Sequence, residues 1–270
     1  MKELRLQLDA ALAILARDLA LFTSYRSRLA TTLASSVVGV TLFYYVSRLV
    51  SSPRVGSPDD YFAFVVVGLA VFSLLSATLS LSVATLRQEL VVGTFERMVL
   101  SPFGAVRSIG SLLLFPVALT LATSGISLLY ATVVFGLEVS WPEALLGLPV
   151  ALLSAAAFAP FGLALCAAVV VFKQTNAGAA FVVAGLTFLS GIYFPVALLP
   201  GWLRWAAEVQ PFTPAVDVLR HVLVGTALRE ELWVSLTKLV VFPAVTGPLA
   251  LCLLGRAVRR GRRTGTIIEA

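Results

Sequence analysis

The sequence predicts an all-α, polytopic membrane protein. Two observations carry this. Of 270 residues, 59% are hydrophobic and the mean hydropathy is +0.96. Only 13% are charged, against about 25% in a soluble domain, and the charges punctuate long apolar runs. One soluble core cannot bury such a surplus, so hydrocarbon must be the solvent for much of the chain. A soluble enzyme is excluded.

The N-terminal segment, residues 1–28, reads MKELRLQLDAALAILARDLALF and onward. It has neither the compact apolar core nor the small-residue cleavage site of a signal peptide. At 100° per residue, Leu4, Leu8, Leu12, Leu15, Leu19 and Phe22 fall on one stripe, away from Lys2, Arg5 and Asp9. The pattern predicts an amphipathic helix lying at the membrane interface. Six apolar runs follow, each near the ~20 residues that cross a bilayer: Leu29–Val46, Tyr61–Leu86, Ile109–Leu137, Leu145–Phe172, Ala177–Phe194 and Leu232–Leu254. Six spans put both termini on one side. With that side cytoplasmic, inner segments hold all but Arg48, Arg54, Arg204, Arg220, Arg229 and Lys238 of the 20 basic residues. The excess of positive charge inside favours this orientation. The basic tail, 255–270, could suggest nucleic acid, but beside a span it is better matched to anionic lipid, and no nucleic-acid partner is expected. The absence of repeats or linkers makes residues 1–270 a single membrane domain.

Several chemistries have no residues to carry them. The chain has no Gly-Lys pair, hence no P-loop. His221 is the sole histidine, so a histidine-rich metal site or a Ser-His-Asp triad is not expected. Cys166 and Cys252 sit in apolar runs without metal-ligand spacing. None of the 14 carboxylates falls at mid-span, whereas ion-driven carriers keep ionisable groups or broken helices there. The deepest charge, Lys238, can snorkel outward. Uphill transport would therefore draw its energy from another chain.

Two segments are neither span nor ordinary loop. The inner one, residues 87–107, alternates charged and apolar residues; Val91, Phe95, Met98 and Val99 could form one helical face, ended by Pro102 and Gly104. A plain interfacial loop is the alternative. The outer one, residues 195–231, is too apolar for a solvated loop, and Pro195, Pro200, Pro211 and Pro214 cut it into short pieces. Trp202 and Trp205 suit a membrane interface. This reads as a re-entrant pair of short helices covered by protein.

In these segments, GTFERMVLSP (Gly93 to Pro102) and SGIYFPVALLPGW…QPFTPAVDVLR (Ser190 to Arg220) resemble the membrane subunits, or permeases, of type-2 ABC exporters. The resemblance implies a coupling helix within Arg87–Pro102 that touches a separate ATPase, with Glu89, Gly93, Thr94, Phe95, Glu96 and Arg97 at the contact. It also implies outer re-entrant helices within Leu199–Leu223. There Pro195, Pro200, Trp202, Pro211, Asp217 and Arg220 would shape a lid, with Asp217 and Arg220 spaced to pair on one helix. Ser73, Ser76 and Ser80 share a face of the second span; with Tyr44, Tyr45 and Tyr193 they are candidates for a translocation path. Close helix packing explains the serines equally well.

The expected function is the transmembrane subunit of an ATP-driven exporter. It would move a hydrophobic or lipid-linked substrate out of the cytoplasm or inner leaflet, with a lipid-linked polysaccharide as the alternative. A lipid-modifying intramembrane enzyme would need facing carboxylates or a metal site, and a passive channel would conduct without ATP. The expected partners are the ATPase subunit, a second and identical permease subunit, and membrane lipid. ATP and Mg would sit on the ATPase, with no cofactor on this chain. The location implied is the inner (plasma) membrane of a prokaryote.

Overall fold

A computed structural model describes residues 2–49, 57–139, 141–172, 176–189 and 200–264. Every regular element among them is helical. Helix α1 (Lys2–Ser24) breaks at Tyr25, and α2 (Arg26–Leu49) follows. The next span starts on a capping box: Ser57 Oγ accepts from the Asp60 amide at 3.2 Å and Asp60 accepts from the Ser57 amide at 2.9 Å, with Pro58 in the first turn. Helix α3 (Pro58–Ser76) passes through a π-helical turn, Ala77–Leu81, into α4 (Ser82–Val92). This continuous run has 35 residues, about 50 Å at 1.5 Å per residue. It exceeds the ~30 Å hydrocarbon thickness, so a bilayer it crosses cannot cover its whole length.

Two short helices come next, α5 (Thr94–Leu100) and α6 (Ala105–Ser111), and α6 leads into α7 (Leu114–Phe135). Helix α8 (Trp141–Phe172) contains Pro149 and Pro160. Helices α9 (Asn176–Leu189), α10 (Gly201–Val209) and α11 (Phe212–Val224) precede α12 (Leu232–Thr264). Among the described residues, five helical runs are long and apolar enough to cross a membrane: Arg26–Leu49, Pro58–Val92, Ala105–Phe135, Ala144–Phe172 and Leu232–Arg263. They contain the first, second, fourth and sixth expected runs and most of the third. The fifth is represented by the 14 residues of α9; its remaining residues, including Tyr193, lie outside the described residues.

The buried interior forms where α8 packs against α11, α12 and the π turn. One apolar cluster joins Val67, Val71 and Leu75 of α3 to Phe158 of α8 and Phe212, Val216 and Leu219 of α11. A second, at the end carrying α5, joins Leu86, Phe95, Ile109, Val170 and Leu254. The π turn sits against Gly162 of α8, where a Cβ would lie 2.4 Å from the Thr78 carbonyl oxygen. Only glycine permits that approach. In contrast, α2 is mostly exposed, which leaves its apolar surface to lipid or to another subunit.

Helix α1 keeps its expected form, and the stripe divides. Leu8, Leu12 and Leu19 are exposed, whereas Phe22 is buried with its ring 5.6 Å from that of Phe115. Lys238 donates to both carboxylate oxygens of Glu230, at 2.8 and 2.6 Å. Helical side chains lean toward their N-terminus, so this lysine reaches back out of its span as snorkelling requires.

Candidate functional site: the α4–α6 elbow and its surroundings

Helix α4 ends because Gly93 takes φ +79°, a left-handed conformation that costs other residues about 1–2 kcal/mol. The bend starts α5 at Thr94. Ser101 then takes an extended conformation, and Gly104 at φ +84° admits α6. Of the four residues expected on one face, Val91 therefore falls on the far side of the bend and is exposed. The single-face expectation is corrected: the left-handed glycine changes the helix axis between Val91 and Phe95. The Val99 side chain lies outside the described residues.

Phe95 anchors the elbow. It is 1% exposed, packed with Leu86, Ile109 and Leu254. Fully burying such a side chain contributes about 1.5–3 kcal/mol. With Phe95 turned inward, Glu96 and Arg97 face outward, flanked by exposed Val91, Val92 and Leu100. The elbow thus presents a small apolar surface bearing one charge of each sign.

Glu89 has a different role from its neighbours. Its carboxylate accepts from Arg17 of α1 at 2.7 Å and from the Thr94 hydroxyl. Arg17 also pairs with Asp18 at 2.8 Å. One carboxylate therefore ties the N-terminal helix, the end of α4 and the start of α5 together. Asp18 is buried, with Oδ2 lacking a hydrogen-bond partner. Burial pushes its carboxyl above the usual 3.8, Arg17 pulls it back and Glu89 pushes it further up. Sequence reasoning passed over Arg17 and Asp18. Their signal was an adjacent ion-pair-forming couple on a helix otherwise read as a lipid-facing anchor.

Pro200 precedes α10 and is exposed, as are Trp202 and Trp205. Pro211 is buried at the start of α11, whose Phe212, Ala215, Val216 and Leu219 are also buried. Phe212 meets Phe158, midway along α8, at 5.4 Å, while Leu223 lies over Gly147 near the start of α8. The Asp217–Arg220 pair is corrected. Asp217 has Arg229 at 3.9 Å; the Arg220 guanidinium donates to the Phe64 carbonyl at 3.1 and 3.0 Å and lies 3.2 Å over the Phe64 ring. Arg220 is buried at 4% exposure, and its long stem carries the guanidinium to a carbonyl of α3, while the Asp217 carboxylate acts on it electrostatically without a direct ion pair between the two. Pro195 lies outside the described residues.

The path candidates separate. Tyr44 stacks on Phe135 with centroids 4.1 Å apart, so one face of its ring is occupied, whereas Tyr45 is exposed. Ser73 is exposed and lines a cavity of about 300 Å³ between α2, α3 and α7, with Ser36, Thr123, Ser124 and Ser127. Ser36 and Ser127 share a 2.8 Å hydrogen bond. Ser76 and Ser80 are half-buried at the π turn and do not line it. Among the described residues no group of His, Cys, Asp and Glu is arranged to hold a metal.

Two comparisons bear on this arrangement. Nodulation protein J of Rhizobium meliloti (strain 1021) is 28% identical over 175 residues, covering 63% of this chain and 64% of that protein. The match thus spans just under two-thirds of the relative's length. The family model described as ABC-2 type transporter matches residues 11–224, from α1 to the end of α11, and so includes the elbow and the short helices α10 and α11. The chain belongs to the ABC-2 type transporter family and is a multi-pass membrane subunit of an ABC transporter.

Proposed function

We propose that residues 1–270 act as one permease domain of an ATP-driven exporter, moving a hydrophobic or lipid-linked substrate outward across a prokaryotic inner membrane. The subunit works as a dimer with a second, identical copy, both termini cytoplasmic, and ATP with Mg sits on a separate ATPase. The observation that carries this is the elbow: α5 projects beyond a continuous run too long for the bilayer, anchored by Phe95 and exposing Glu96 and Arg97. Such a lever can pass force from a docked ATPase to α4 through the bend, and to α1 through Glu89 and Arg17. The sparsely buried α2 suits contact with a second copy or with lipid. Helix α11, running beside α8 from its middle to its start, supports the re-entrant reading of the outer segment. Its buried contacts support a lid seated on protein.

A lipid-linked polysaccharide is the second substrate reading, favoured by the hydroxyl-lined cavity. Thr123 and Ser127 there donate to backbone carbonyls of Thr120 and Thr123, which leaves oxygen lone pairs to accept from a ligand's hydroxyls. The function is tested in proteoliposomes holding this chain with and without its ATPase. ATP-dependent accumulation of a lipid-linked substrate only with both chains is expected. Accumulation without the ATPase, or none with it for any lipid-linked or hydrophobic substrate, would refute the proposal.

A further inference from the structure

The end of the molecule that carries α5 holds another cavity, of about 380 Å³, between the Pro102–Arg107 stretch and the last turns of α12. Its walls divide by chemistry. Pro102, Phe103, Val106 and Val258 form an apolar side; Arg107, Arg259 and Arg262 supply the polar side, and among the described residues no carboxylate lines it. Neither Arg107 nor Arg259 is in an ion pair among the described residues.

Its depth follows from helix geometry. The run Leu232–Leu254 of α12, at 1.5 Å per residue, covers about 34 Å, slightly more than the ~30 Å hydrocarbon layer. Gly255 therefore lies at the hydrocarbon boundary, and Arg259 starts one turn beyond it, in the headgroup layer. Arg259 folds back toward that boundary. A Cβ on Gly255 would lie 3.7 and 3.9 Å from its two terminal nitrogens and 4.0 Å from Val106 Cγ2. The guanidinium thus rests within van der Waals range of Gly255, on the side facing Val106 of α6.

We propose that this cavity binds the phosphodiester headgroup of an anionic membrane lipid. Guanidinium groups match phosphate oxygens with paired hydrogen bonds, and basic pockets at this depth suit lipid headgroups. The apolar side receives the glycerol and upper acyl carbons, which a free phosphate lacks. A zwitterionic headgroup brings its own cation among the arginines. The occupant therefore carries net negative charge, and it braces the chain just after α5 against the end of α12.

The test uses the full chain in nanodiscs of phosphatidylcholine with increasing phosphatidylglycerol, the retained lipid being counted by native mass spectrometry. Wild type should retain phosphatidylglycerol selectively. Arg107→Gln with Arg259→Gln should weaken retention by roughly fivefold per charge removed. Arg256→Gln with Arg263→Gln removes the same charge from exposed tail positions outside the cavity and should lower retention clearly less than the first double variant, by the tail's diffuse attraction only. Should the first double variant fail to elute as a monodisperse species, Arg259→Lys, which keeps charge but loses the paired donors, should still weaken retention. Equal losses in the two double variants would reduce the effect to diffuse attraction and overturn the site. So would indifference between the two lipids, or displacement of the lipid by inorganic phosphate. Loss of ATPase binding with lipid retention intact would assign the cavity to a protein partner instead.

Discussion

Asp18 gives the elbow a dependence on pH whose sign is fixed. Its folded carboxyl titrates above 3.8, chiefly because burial disfavours the charge. The fold therefore holds this proton more tightly than the unfolded chain does. The associated stability is fully present below pH 3.8 and is lost as pH climbs through the raised value. Asp18→Asn should flatten that part of the stability–pH profile in detergent and leave the neutral-pH melting temperature equal or higher, since Arg17 keeps Glu89. A lower neutral-pH melting temperature would show that the charged pair with Arg17 outweighs burial. Phe95 and Glu96, neighbours in sequence, should part company. Phe95→Ala should cost about 3–5 kcal/mol of stability, measured by thermal unfolding. Glu96→Lys with Arg97→Glu should leave stability unchanged and lower substrate-stimulated ATP hydrolysis. Only the adjacent Arg17 separates Asp18 from Asp9 in the local sequence; burial, and the company of Glu89, which lies 72 positions from Arg17, are set by tertiary packing.

At the scale of elements, five of the six expected runs were legible because charges and prolines bound them, and the end of α5 because Pro102 and Gly104 punctuate it. The bend at Gly93 was missed, since a lone glycine inside an apolar–charged pattern does not announce its left-handed φ. The π turn was not legible either. Its sequence, Ala77-Thr-Leu-Ser-Leu81, is as helix-compatible as its flanks, and the close approach of Gly162 becomes evident only when α8 is in place. Gly162→Ala should drive a methyl against the Thr78 carbonyl and cost about 1–3 kcal/mol through overpacking; unfolding midpoints with and without Gly185→Ala, which meets open space, measure it. The outer pair was misread because spacing on a helix gives proximity but not partners. Arg220 uses a carbonyl 156 positions away. Arg220→Gln should therefore lower abundance in the membrane, while Arg229→Gln, from an exposed position, should leave it unchanged.

For the whole molecule, composition alone required lipid as solvent, and the long runs became long helices. The elbow, α1 and the end of α12 converge on one end of the molecule, and α10 with its exposed tryptophans lies elsewhere, near α9 and α11. The proposed function puts force input at α5, on a different part of the same body from α10. A photo-crosslinking amino acid at position 96, with a second variant carrying it at position 205, tests this in native membranes. With input at α5, position 96 captures an ATP-binding protein and position 205 does not. Capture at 205 alone, or no ATP-binding protein at 96, would contradict it.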